Sequence, residues 1–239
     1  MIDMHCHLLP GIDDGPQTLD AAVAMCRMAA DDGVKVAVTT PHIHPGRWPN
    51  TRDVIARGRD ELQNELVKQG VDLQLGYAAE VRLSDHLMEQ VQRDQIPFYG
   101  EVDGYKIMLL EFPHGHIVPG SQNMVRWLLE RGIRPMIAHP ERNKQVMKNP
   151  AAMDPFIEAG CWLQGTAGSL IGKFGEPAQQ VIEELLLAGK LTVIASDGHN
   201  LKARPPTLSA AFTRAQELVG YDIASKLFLK HKTDQSVAA

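Results

Sequence analysis

The sequence is short of cysteine, of basic charge and of long apolar runs, and each shortage removes a class of protein. Its three cysteines, Cys6, Cys26 and Cys161, are odd in number and far apart. They read as reduced thiols of a cytoplasmic protein and not as a disulfide framework. A net charge of −5 argues against a nucleic-acid binder, which would need a basic face. No apolar run approaches the ~20 residues needed to span a bilayer. The opening Met1-Ile2-Asp3-Met4-His5 lacks the charged-then-apolar order of a signal peptide. There is no internal repeat, low-complexity tract or long linker.

What the chain does have is alternation. Its 239 residues, 44% hydrophobic and 22% charged, suit a single soluble domain over residues 1–239. Met1 to His5 reads as a short strand. Thr18 caps a helix whose apolar face is Leu19, Val23 and Cys26, ending at Gly33. Val34 to Thr39 is β-rich, Arg52 to Gln69 a charged helix, Val71 to Ala79 a strand and Ser84 to Gln92 a short helix. Strands then fall at Tyr105–Leu110, Ile133–Ala138, Cys161–Gln164 and Leu191–Ala195. Helices fall near Gly120–Arg131, Asn149–Ala159, Pro177–Ala188 and Thr207–Val219. About seven strands alternating with helices predict an α/β fold of βα units, better matched to a distorted TIM-like barrel than to an open sheet. Lys226 to Lys232 is a short basic stretch that reads as a solvated helix face.

The histidines carry the functional signal: there are ten, several beside Asp or Glu. In βα barrels functional residues sit at the C-terminal ends of strands. Here strand after strand exits into a metal-ligand type: His5-Cys6-His7, Pro41-His42, Ala79-Glu80, Leu110-Glu111, Ala138-His139-Pro140-Glu141-Arg142 and Ser196-Asp197-Gly198-His199. A lone histidine after a strand is ordinarily a surface or hydrogen-bonded residue, and a lone glutamate there ordinarily favours a helix N-terminus. Their recurrence on one predicted face is what argues for a site. Alternate residues of an extended segment point the same way, so His-x-His and Asp-x-His can each grip one ion. Imidazole and carboxylate without thiolate suit Mn, Fe, Zn or Mg, and so many ligands imply more than one ion.

The run Met1 to Gly15 resembles the opening of the PHP (polymerase and histidinol phosphatase) superfamily. More narrowly, it resembles the bacterial tyrosine-protein phosphatases of capsular and exopolysaccharide operons, the CpsB/YwqE type. Thr40-Pro41-His42, Leu110-Glu111-Phe112-Pro113, Ile137 to Asn143, Gly165 to Gly175 and Ala195 to Asn200 extend the match in the same order to about Arg204. The resemblance implies a distorted (β/α)7 barrel holding three divalent metal ions, manganese first, with iron, zinc or magnesium as alternatives. Carried over by position, His5, His7, Glu80 and Asp197 would hold one ion, Glu80, Glu111 and His139 a second, and Asp14, His42 and His199 a third. Asp13 is the alternative to Asp14. Arg142 and Arg204 match phosphate-binding positions, and His199 or His44 could supply a proton. The sequence departs from the family after His42, where Ile43 stands in place of a second histidine, and in the loop Pro45-Gly46-Arg47-Trp48-Pro49.

The reaction so implied is hydrolysis of phosphotyrosine on a protein, with a membrane tyrosine autokinase bearing a tyrosine-rich tail as the expected partner. A cysteine route would need Arg six residues after a Cys. Ile12, Asp32 and Ala167 stand there instead, and Cys6 should point away from the metals into the core. His114, His116, Arg47 and Trp48 read equally as pocket rim or as solvated loop. Three other readings stay open: a small-molecule phosphatase acting on a compound such as histidinol phosphate, a nuclease, and a catalytically silent module that binds a kinase.

Overall fold

The computed structural model describes residues 1–229; the part of the basic stretch beyond Leu229 lies outside them. The strands are β1 (Ile2–Cys6), β2 (Val36–Thr39), β3 (His42–His44), β4 (Trp48–Pro49), β5 (Gln74–Tyr77), β6 (Glu80–Arg82), β7 (Glu101–Val102), β8 (Tyr105–Glu111), β9 (Ile133–Ala138), β10 (Trp162–Thr166) and β11 (Val193–Ala195). The helices are α1 (Leu19–Asp31), α2 (Arg52–Lys68), α3 (Leu87–Gln92), α4 (Ser121–Leu129), α5 (Lys144–Lys148), α6 (Asp154–Glu158), α7 (Ala167–Leu170), α8 (Glu176–Leu187), α9 (Ser209–Val219) and α10 (Tyr221–Phe228).

The strands form the expected barrel. One parallel sheet runs β1-β2-β5 and the other β11-β10-β9-β8-β6-β3. The two are continuous, because β2 runs on into β3 and β5 into β6. Pro41 has no N–H to give to a ladder, so the second stave breaks at Thr40–Pro41. Ala78 N–H to the Thr39 carbonyl and Glu80 N–H to the Pro41 carbonyl carry the pairing across the break. Closure comes from Cys6 bridging Gly198, with His7 N–H on the Gly198 carbonyl and Asp197 N–H on the His5 carbonyl, both at 2.8 Å. That approach requires glycine: a Cβ on Gly198 would lie 2.6 Å from Pro206 Cα.

The period of two sorts the strand residues. Met108 and Leu110 of β8 face outward to the large core under the helices, as do Val81, Ile137, Leu163 and Ile194. Met4, Val38, Ala78, Ile107, Leu109, Met136, Ala138, Val193 and Ala195 form a second cluster inside the barrel. Tyr99 closes its base, donating its hydroxyl to the Met4 carbonyl at 2.6 Å. The inward series runs on into polar residues: Ala78 to Glu80, Leu109 to Glu111, Ala195 to Asp197. The barrel floor is thus apolar and its C-terminal mouth carries the acids. Strand β1 breaks the rule. A register shift between Asp3 and Cys6 lets both Met4 and the pair His5, His7 face the interior while Cys6 turns outward.

Local sequence accounts for the long helices. Thr18 accepts from Ala21 N–H to start α1, and Ala22, Val23, Met25, Cys26 and Ala29 form its buried face. Asp32 ends it and also accepts from Leu208 N–H and Ser209 N–H, tying α1 to α9. The expected helix over Asn149–Ala159 is instead a 3-10 turn at Pro150–Met153 followed by the short α6, because Pro150 and Pro155 each remove a helical N–H. The β3–β4 hairpin, α5 and α7 were not expected; each is too short to show a clear period.

Candidate metal centre

The inward polar residues meet at the mouth. His5, His7, Glu80 and Asp197 bring one ligand atom each within 4.8 Å of one another, as do His7, Asp14, His42 and His199, and also His42, Glu80 and Glu111. Glu80 is the hub. Its Oε2 lies 3.3 Å from His5 Nε2, 3.3 Å from His7 Nε2 and 3.1 Å from His42 Nδ1, and its Oε1 lies 2.6 Å from His139 Nε2. Asp197 Oδ1 lies 3.3 Å from His5 Nε2 and 3.5 Å from His199 Nδ1. The grouping differs from the resemblance at one point. His42, not His139, stands with Glu80 and Glu111, and His139 meets the cluster through Glu80 and through the His5 ring, 5.8 Å away.

Asp13 and Asp14 differ in exposure and in what they face. Asp14 is 42% exposed and places Oδ1 3.4 Å from His42 Nε2 and 3.3 Å from His199 Nε2. Asp13 is buried and accepts His7 Nδ1–H at 2.7 Å, Gly15 N–H at 2.9 Å and His42 N–H at 3.1 Å. It therefore orients His7 and does not face the cleft. Gln164 does the same for His5, with Oε1 2.9 Å from Nδ1. Neither role is visible in the sequence: Gln164 ends a predicted strand but is not a metal-ligand type, and nothing local separates Asp13 from Asp14.

The electrostatics follow from burying acids and imidazoles together. Burial opposes the charge on Glu80, but His5, His42 and His139 hold its carboxyl well below the usual range. Burial likewise opposes Asp197, and His5, Arg142, Arg204 and His199 hold it down. Glu111 goes the other way: burial and then the Glu80 charge raise it to about 7. Burial and Arg142 lower His139 to about 3, which keeps that imidazole neutral with a lone pair available. Two residues pay a backbone strain of ~1–3 kcal/mol each by sitting in the left-handed region: His139 at φ 35° and Asp197 at φ 51°. Both turn at the end of their strands into the cleft.

Three buried atoms at the centre have no hydrogen-bond partner: His42 Nδ1, Asp197 Oδ1 and His199 Nε2. Polar atoms left without a hydrogen bond are costly in a protein interior, and all three belong to the ligand-atom groups above. The donor set, imidazole and carboxylate without thiolate, fits hard or borderline divalent cations. Above it opens a cavity of about 170 Å³ lined by His44, Arg47, Trp48, Arg82, His114, Arg142 and Arg204 as well as the acids. Arg142 and Arg204 both pair with Asp197 Oδ2, Arg204 Nη2 at 2.5 Å. Arg82, missed in the sequence, pairs with Glu111 Oε1 at 2.9 Å; its place two residues after Glu80 on the same face of β6 was the available signal. Ile43 is buried in the outer core, and His44, two residues beyond His42, shares the cleft face. His114 stacks on His139 at 5.8 Å, whereas His116 is exposed and does not line the cleft.

Comparison with known proteins decides the family. The model of the capsular polysaccharide synthesis family CpsB/CapC matches residues 1–235. The chain belongs to the CpsB/CapC family. It is 32% identical over 204 residues to the tyrosine-protein phosphatase YwqE of Bacillus subtilis, covering 85% of this chain and 79% of YwqE. It is 27% identical to the tyrosine-protein phosphatase CpsB of Streptococcus agalactiae, covering 97% of this chain and 96% of that one. Among solved structures, one from the work on YwqE of B. subtilis and CpsB of Streptococcus pneumoniae, described as unique metal-dependent tyrosine phosphatases, superposes with a TM-score of 0.87 at 30% identity, covering 94% of this chain and 90% of that one. The barrel of this CpsB/CapC member is thus the barrel of that structure.

The thiols take no part in the cleft. Cys6 is fully buried and donates to the Val38 carbonyl at 3.3 Å. Burial pushes Cys6 well above the ordinary thiol range and Cys26 and Cys161 up to about 12.

Proposed function

We propose that this chain is a metal-dependent protein-tyrosine phosphatase that hydrolyses phosphotyrosine. The observation that carries the proposal is Glu80, one buried carboxylate within 3.3 Å of three imidazoles and 2.6 Å from a fourth, at the floor of a cleft walled by guanidinium groups. His5, His7, Asp14, His42, Glu80, Glu111, His139, Asp197 and His199 would hold three divalent ions, manganese being the expected metal. Bound ions would lower the pKa of a water towards ~7 and neutralise the phosphoryl oxygens.

The chain's own residues supply the rest. Arg142 is fixed by Asp197 on one side and by the Phe174 ring, 4.5 Å away, on the other, so its guanidinium is preorganised at the cleft wall. Arg204 approaches the same Asp197 oxygen from the loop after His199. Two guanidinium groups on one wall can take phosphate oxygens bidentately. A phenolate leaves with a pKa of ~10, so a strong general acid is not required. Burial and nearby Arg82 lower His44, and burial with nearby His7 lowers His199, so neither is a charged acid near pH 7. The similarity to capsule-synthesis phosphatases supports a cytoplasmic enzyme whose partner is a membrane tyrosine autokinase with a tyrosine-rich tail. Among the described residues no helix is long and apolar enough to cross a membrane.

The test is phosphate release by metal-stripped protein before and after addition of Mn²⁺, with phosphotyrosine peptide, phosphoserine peptide and histidinol phosphate in parallel. Metal-dependent release from phosphotyrosine is expected. A clear preference for phosphoserine or histidinol phosphate would overturn the assignment.

A further inference from the structure

Five imidazoles face the cleft floor, and in four of them a hydrogen bond fixes a ring nitrogen. His5 Nδ1 meets Gln164 Oε1 at 2.9 Å, His7 Nδ1 meets Asp13 at 2.7 Å, His199 Nδ1 meets the Asp197 carbonyl at 2.9 Å, and His139 Nε2 meets Glu80 at 2.6 Å. His42 differs. Its Nδ1 is buried without a hydrogen-bond partner. Its backbone is clamped on both sides, the N–H on Asp13 Oδ2 at 3.1 Å and the carbonyl accepting from Asn50 Nδ2 at 2.9 Å. Its ring nitrogens have only carboxylates beside them, Glu80 Oε2 3.1 Å from Nδ1 and Asp14 Oδ1 3.4 Å from Nε2. These are the groups that would share its metal ions, so they do not orient the ring independently of the site.

A tryptophan does. The Trp48 indole lies against the His42 ring, 4.7 Å between centroids and 8° from parallel. The stack is set by the hairpin: β3 pairs antiparallel with β4, placing His44 opposite Trp48 and folding the indole back over the cleft. Arg47 packs its guanidinium 3.9 Å from the indole centroid, and the His44 ring meets the indole edge-on at 6.0 Å. The indole is therefore itself held by three neighbours, a cation–π contact among them. Flat stacking permits a ring to slide but opposes its turning edge-on.

We propose that Trp48 is a positioning residue for the metal centre. It holds the His42 imidazole so that Nε2 faces the group of His7, Asp14 and His199 while Nδ1 faces Glu80. Stacking does for His42 what Asp13 and Gln164 do for His7 and His5 by hydrogen bonding. The inference rests on the reading that His42 is a metal ligand. It assigns Trp48 a role distinct from contact with the aromatic ring of a substrate.

Mn²⁺ titration of metal-stripped protein, read by the electron paramagnetic resonance of free Mn²⁺, tests this with wild type, Trp48→Phe, Trp48→Ala and His42→Ala, each checked for folding by circular dichroism. Loss of an orienting partner ordinarily lowers metal affinity 10- to 100-fold. Trp48→Ala should weaken one Mn²⁺ about tenfold, at the low end of that range, and Trp48→Phe, which can still stack, should remain close to wild type. KM for phosphotyrosine peptide at saturating Mn²⁺ should change little in either. If His42→Ala loses an ion but Trp48→Ala binds as wild type does, the positioning role is wrong. If Trp48→Ala raises KM with metal affinity intact, the indole is a substrate contact and the proposal falls. If His42→Ala itself leaves every affinity unchanged, the reading of His42 as a ligand fails first and takes the inference with it.

Discussion

Asp13 offers the sharpest test of how the centre is held, because one carboxylate satisfies three buried donors and touches no cleft. Its Oδ2 accepts His7 Nδ1–H at 2.7 Å and His42 N–H at 3.1 Å, and its Oδ1 accepts Gly15 N–H at 2.9 Å. Burial works against this carboxylate, and His7 holds its pKa below the usual range. In Asp13→Asn one oxygen becomes an NH2. With the remaining oxygen in the Oδ2 position, Gly15 N–H loses its acceptor. With the amide reversed, His42 N–H loses its acceptor and His7 must take the other tautomer. That puts a proton on Nε2, the atom that faces Glu80 and Asp197. Either way one buried N–H is orphaned, costing about 1–3 kcal/mol. The lost negative charge also makes His7 a poorer ligand, lowering metal affinity by roughly 10- to 100-fold. Asp13→Ala strips all three acceptors and should be worse on both counts. The assay is competitive chelator titration of the metal-stripped proteins beside their thermal unfolding, and the expected order is wild type, Asn, Ala. An alanine variant that binds metal with wild-type affinity would refute the orienting role of Asp13, whatever its stability.

Other outcomes follow from the same geometry. Glu111 is raised to about 7 by burial and the Glu80 charge, so folding must bear an ionisation cost that is absent below pH ~4.5 and complete above ~7. Metal-free Glu111→Gln should therefore be more stable than metal-free wild type at pH 8, by on the order of 1–3 kcal/mol, with the gap closing towards pH 4.5. Denaturant midpoints at both pH values decide it, and a gap independent of pH would contradict the assignment. Asp197→Ala should abolish turnover while leaving the far-ultraviolet circular dichroism unchanged; activity surviving in the metal-stripped variant would sink a metal-dependent reaction. Arg204→Lys keeps the charge but loses the planar fork, so kcat/KM should fall about tenfold; unchanged kinetics would remove Arg204 from phosphate binding. Cys6→Ser should keep turnover within about tenfold, the change expected of a buried packing residue, and outright loss of activity would reopen thiol chemistry.

Much of the architecture was legible in the chain. Alternation in Ile107-Met108-Leu109-Leu110-Glu111 and in Val193-Ile194-Ala195-Ser196-Asp197 shows which residues face inward, and the same period carries each inward series into an acid. The alternation of strands with helices and the series of strand-end histidines and carboxylates could be read because each depends on local pattern, whereas the closed barrel was implied by the family resemblance. Other features depend on contacts between residues far apart in sequence. The irregularity in β1 that lets Met4, His5 and His7 face one interior arises from pairing with β2. The different settings of Asp13, on the His7 ring, and Asp14, beside His42 and His199, are made by packing. Neighbouring acids in a sequence look alike; only the packing of His7, His42 and Gly15 around one of them separates orienting group from cleft group. The left-handed turns at His139 and Asp197, the guanidinium of Arg82 on Glu111 and the Trp48 indole over His42 belong to the same class. Sequence by itself determined the βα alternation and the chemical type of its strand ends, since both follow from hydrophobic period and residue chemistry. Tertiary structure decided which atoms face one another, since that is fixed by barrel closure and by the fit of side chains brought together from distant parts of the chain.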